Sequence, residues 1–194
     1  MNHLAHLFLS RQSDKMMVGN FIADGVKGKK YLGFHDEIAR GILMHRAIDT
    51  FTDSSEIVRN SKQYFKNRYG LFAGVIVDVF YDHFLASNWN RYADAPLEEF
   101  AARAYGIFES YLPVMPVRYQ HMLPYMKKEN WLLNYGNLDG IRRTLHGMSR
   151  RIPNHPGIEN ATDELIGHYD QLQDDFTRYF PSLENHVAPW TNTR

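Results

Sequence analysis

The sequence predicts an all-α protein, a compact single-domain bundle of about eight helices. Three observations carry that expectation. Apolar residues recur at three- and four-residue intervals along most of the chain, as one buried helix face requires. No stretch alternates apolar and polar residues between hairpin turns. Glycines and prolines fall between the periodic stretches, without a strand–helix rhythm.

The elements follow in order. Residues 2–10 read as a short amphipathic helix. Ser13 or Asp14 caps a second, which runs through Met16, Met17, Phe21 and Ile22 to Asp24. Residues 25–33 combine three glycines with Lys27, Lys29 and Lys30 and read as a loop. Residues 35–49 form a third helix with Ile38, Ile42 and Ile48 on its apolar side. Ser54-Ser55-Glu56 starts the next helix, and Gly70 stops it after Tyr69. Residues 71–86 are a strongly apolar helix. Pro96 suits the first turn of a helix reaching Tyr111. Pro113 and Pro116 interrupt, and shorter helices follow at 117–126, 129–134 and 138–148. Residues 150–160, with Pro153 and Pro156, read as a loop. A last helix runs over 158–180 and ends at Pro181. Residues 1–181 are thus expected as one domain, and 182–194 as a frayed tail.

Composition narrows the function. The chain has 194 residues, enough for one well-cored domain. Lys plus Arg and Asp plus Glu are 22 each, so no global charge points to nucleic acid or membrane. The absence of cysteine excludes disulfides, thiolate metal sites and cysteine nucleophiles. The apolar run from Leu4 to Leu9 lacks the flanks of a signal peptide, and no stretch is expected to reach a membrane span. A cytoplasmic protein is the expectation.

The polar residues inside apolar patterns are more informative. Asp78 and Asp82 are four residues apart in the run Gly74–Leu85, so they share one face of a mostly buried helix. Buried carboxylates need a cation, a metal or several hydrogen-bond donors. The four-residue spacing recurs at Asn2/His6, Asn20/Asp24, His45/Asp49 and Asp49/Asp53. A histidine and a carboxylate at that spacing ligate one metal or orient each other; singly, such a pair is an ordinary solvated pair. Nitrogen and oxygen donors without sulfur suit manganese, magnesium, iron or zinc.

Six segments carry a family resemblance. Asn2-His3-Leu4-Ala5-His6-Leu7, Gly19-Asn20-Phe21-Ile22-Ala23-Asp24, the run from Gly41 through His45 and Asp49 to Asp53, Asp78-Val79-Phe80-Tyr81-Asp82-His83-Phe84-Leu85, Gly147-Met148-Ser149-Arg150-Arg151 and His168-Tyr169-Asp170 together resemble the acyl carrier protein phosphodiesterases. That family is similar to the HD-type metal-dependent phosphohydrolases, which are all-helical. The resemblance implies hydrolysis of the phosphodiester between 4′-phosphopantetheine and a serine of acyl carrier protein, typically with manganese. It implies functional positions at His6, Asp24, His45, Asp49, Asp78, Asp82 and His83.

Roles follow as expectations. Asp24, His45, Asp78 and Asp82 form the expected ligand set, with His6 and His83 next. Asp24, Asp49, His83 and Arg46 are the expected catalytic groups, Asp49 as ligand or orienter. Arg46 or Arg150 clamps phosphate. Carrier proteins are acidic, so Lys27 and Lys29 with Arg150 are the expected substrate contacts. Two rival readings remain: an HD-like enzyme acting on a nucleotide or other small phosphodiester, and a non-catalytic helical protein whose polar pairs tie helices together.

Overall fold

The computed structural model describes residues 1–151 and 157–191, so residues 152–156 of the expected loop and the last three residues lie outside the described residues. Among the described residues there are α-helices and short 3-10 turns and no strands.

The chain opens with α1 (His3–Leu9), which is short and buried along its length. Ser13 caps α2 (Asp14–Ile22) by accepting from the Met16 amide. A 3-10 turn at Ala23–Gly25 and the lysine-bearing loop lead to α3 (Asp36–Ser54), longer than the sequence predicts. Helices α2 and α3 pack backbone against backbone. A Cβ on Gly19 would lie 2.0 Å from the Ile38 carbonyl oxygen, and one on Gly41 would lie 2.2 Å from that of Met16. Only glycine permits this approach.

Ser55 caps α4 (Glu56–Tyr69), and Gly70, at φ 55°, ends it. Helix α5 (Ala73–Ser87) is the buried axis, with Ile76, Val77, Val79, Phe80, Phe84 and Leu85 all excluded from solvent. It packs against α1 and α4 and, later in the chain, against α9 (Leu138–Ser149) and α11 (Tyr169–Thr191). Helices α6 (Leu97–Ser110), α7 (Val117–Lys128) and the single turn α8 (Trp131–Asn134) lie between, and α10 (Ala161–Gly167) precedes α11.

Three expectations are corrected. The last stretch divides at His168 into α10 and α11. Pro181 does not end α11, and the expected tail is helical as far as Thr191. Leu183 and Val187 beyond the proline are buried, and each contributes roughly 1.5–3 kcal/mol, which offsets a proline cost of about 3 kcal/mol. Finally, Glu56–Ser87 does have the length and apolarity of a membrane span. It is broken at Gly70–Phe72, and 61% of its most apolar window is packed inside the fold.

Candidate metal centre

Helices α1, α2 and α3 meet at two stacked imidazoles. The rings of His6, from α1, and His45, from α3, lie 3.9 Å apart between centroids at an interplanar angle of 16°. Asp49, one turn after His45, faces both. Its Oδ1 is 3.2 Å from His6 Nε2 and its Oδ2 is 3.1 Å from His45 Nε2. Ligand atoms from these three residues lie within 4.8 Å of one another. Asp24, in the 3-10 turn after α2, brings Oδ1 to 3.5 Å from His45 Nε2.

Asn20 sets the direction of both rings. Its Nδ2 donates to the His6 carbonyl at 3.0 Å, which fixes Oδ1 as the atom turned toward the imidazoles. His6 Nδ1 donates to that Oδ1 at 2.9 Å. His45 Nδ1 donates to the Asn20 carbonyl at 2.9 Å and to Oδ1 at 3.1 Å. With the proton on Nδ1 of each ring, both Nε2 atoms point at Asp49. His6 Nε2 is buried and has no hydrogen-bond partner despite the nearby carboxylate. An orphaned buried nitrogen beside a second imidazole and a carboxylate fits a divalent cation bound by nitrogen and oxygen.

In the cation-free chain a proton on His45 takes the place of that charge. Burial pushes His6 down to about 4, with the His45 charge adding to the effect, so His6 is neutral. Burial also opposes charge on His45, but the carboxylates of Asp24 and Asp49 outweigh it and raise His45 to about 9. The hydrogen bond from His45 holds Asp24 at about 2. Burial opposes the charge on Asp49, yet the hydrogen bond from His45 and the facing His6 ring hold it well below the usual carboxylate range. These groups open on a polar cavity of about 260 Å³ that His3, Thr52, Asp53 and Asp78 also line.

The α5 residues lie differently from expectation. Asp82 is fully buried and accepts from the amides of Asn2 (3.2 Å), Leu4 (2.6 Å) and Ala5 (3.3 Å). It caps the start of α1, where the helix dipole favours an anion. The donors that a buried carboxylate needs are backbone amides, so both of its oxygens turn to α1 instead of joining the imidazoles. Asp78 lines the cavity, but its Oδ1 meets the Met1 α-amino group at 3.0 Å. His83 is spent on the Tyr135 carbonyl (2.8 Å) and the Tyr169 hydroxyl (3.0 Å). Among the described residues, the structure gathers His6, Asp24, His45 and Asp49, and leaves Asp82 and His83 outside.

Arg46 donates to the Val26 carbonyl at 2.7 Å and lies 5.4 Å from the Tyr31 ring centroid. It ties down the loop that carries exposed Lys27 and Lys29, where a phosphate clamp was expected. Arg150 stands away from the imidazoles, in the wall of a second, larger cavity. The sequence reading missed Asn20 as an orienting group and His3 as a wall of both cavities. The Asn20/Asp24 spacing was the signal for the first. The three-residue spacing of His3 and His6, which puts them on one helix face, was the signal for the second.

Comparison with known proteins identifies the family of the whole chain. A family model described as acyl carrier protein phosphodiesterase matches residues 1–183. An acyl carrier protein phosphodiesterase of Salmonella dublin is 34% identical over 189 residues, 97% of this chain and 98% of that protein. One from Klebsiella pneumoniae (strain 342) is 36% identical over 184 residues, 94% of this chain and 95% of that protein. No solved structure matches the chain. With both the family model and these relatives spanning nearly its whole length, the chain belongs to the acyl carrier protein phosphodiesterase family.

Proposed function

We propose that the protein hydrolyses the phosphodiester joining 4′-phosphopantetheine to a serine of acyl carrier protein, using a divalent cation held by His6, His45, Asp49 and Asp24. Manganese is the first candidate, with magnesium, iron and zinc as the others. The carrying observation is the pair of imidazoles whose Nε2 atoms converge on Asp49, beside a small polar cavity, in a chain of this family.

In the reaction, a water oxygen bonds to phosphorus and the bond from phosphorus to the serine oxygen breaks. The serine oxygen takes a proton, and the phosphate leaves on the pantetheine. A bound divalent cation supplies Lewis acidity, lowering the pKa of water and drawing charge from the phosphoryl oxygens. The chain's own groups do the rest. Asn20 holds both imidazoles in one tautomer. Asp24, whose Oδ1 stands beside His45 Nε2, contributes fixed negative charge to the centre. His3, which burial lowers to about 4, stays neutral at the cavity wall and offers a hydrogen bond without repelling a cation. Lys27 and Lys29, on the loop tied by Arg46, offer positive charge to an acidic carrier surface.

The test incubates holo carrier protein with the enzyme and manganese and reads both products by mass spectrometry. Apo carrier protein and free 4′-phosphopantetheine are expected. A chelator abolishes turnover, and Asp49→Ala abolishes it without loss of helical content. Full activity under chelation removes the cation from the proposal, and an intact holo protein removes the reaction.

A further inference from the structure

A second cavity of about 1070 Å³ lies next to the metal centre, and His3 lines both. Its walls come from α7, α8, α9 and residues 159–160: Tyr125, Trp131 and Met148 give apolar surface, and the exposed charges along it are of both signs, Arg142 and Arg143 beside Glu129 and Asp139. Its volume lies just above the range of roughly 300–1,000 Å³ that ligand sites occupy. None of these residues contributes to the imidazole cluster.

A phosphodiester seated at the imidazoles has two substituents that leave in different directions. One is a serine on a folded protein, which stays outside. The other is the pantetheine arm, a flexible uncharged chain with two amides, a dimethyl-substituted carbon and a terminal thiol. The small cavity around the imidazoles is polar and too small for that arm as well as the phosphate. The adjoining cavity has the matching chemistry, with aromatic and thioether surface for the apolar carbons. We infer that this cavity binds the pantetheine arm, with His3 at the junction where phosphate gives way to arm. This rests on the hydrolase reading above and names the part of the substrate that the larger cavity takes.

Gly147 provides the test. It lines the cavity on α9, and a Cβ there would meet nothing within 4 Å. A larger side chain therefore fills the cavity without crowding the helix. Titration calorimetry compares 4′-phosphopantetheine with inorganic phosphate, under the same divalent salt, on wild type, Gly147→Phe and Trp131→Ala. Wild type is expected to bind 4′-phosphopantetheine at least about tenfold more tightly than phosphate. Both variants are expected to lose most of that preference while binding phosphate unchanged. A preference retained in both variants, or absent from wild type, overturns the assignment. Slower turnover of holo carrier protein by Gly147→Phe with unchanged 4′-phosphopantetheine binding also overturns it, because the cavity then meets the carrier itself. Failure of wild type to release 4′-phosphopantetheine from holo carrier protein counts against the hydrolase reading alone, since the binding comparison is read without turnover.

Discussion

Asn20 is a neutral side chain that orders two imidazoles at once. It spends its amide hydrogen on a carbonyl, and that choice leaves its oxygen for His6 and His45. The two stacked rings then differ in charge: His6 neutral at about 4, and His45 protonated up to about 9. His45 therefore titrates above its ordinary 6.5, so its proton stabilises the cation-free fold below about pH 6.5, and that stabilisation is lost as pH rises through about 9. A cation must displace the same proton. In the proposed centre, affinity for manganese rises with pH and flattens above about 9, and binding near neutral pH releases about one proton per ion. Calorimetry in two buffers of different ionisation enthalpy reads the released proton. A flat affinity between about pH 6 and pH 9 takes His45 out of the ligand set.

The helices that place these residues were largely legible, because amphipathic spacing and caps are local signals. The His45/Asp49 pair was legible for the same reason, since both partners stand on one helix and face one way. Asp78/Asp82 carried the same spacing and a stronger burial signal, yet Asp82 meets the amides of α1. Spacing says which side chains share a face, and it is silent on which element that face meets 80 residues away in the chain. The α2–α3 crossing was also invisible, because single glycines inside helical patterns do not announce their partners. It is nonetheless what sets Asn20 beside His45. Gly19→Ala forces a Cβ against the Ile38 carbonyl and is expected to cost about 1–3 kcal/mol, with a fall in activity from displaced Asn20. Gly106→Ala, where a Cβ meets nothing within 4 Å, is the control and leaves stability equal or up to about 1 kcal/mol higher. Thermal melts of the two variants read the difference, and equal melting points discard the crossing as the cause.

At the scale of the molecule, positive and negative side chains balance at 22 each, so attraction for an acidic protein substrate has to be local. Charge reversal at Lys27 and Lys29 is expected to raise KM for holo carrier protein, most at low ionic strength, while a small phosphodiester is turned over as before. Equal losses on both substrates place the loop in the chemistry instead of the docking. The glycine crossing bears on how the whole molecule yields to force. Hydrostatic pressure acts on empty volume, and the contact of α2 with α3 leaves none between their backbones. The helices that carry Asn20 and His45 therefore have no void between their backbones to give up, and a squeeze on the molecule finds nothing to collapse at that crossing.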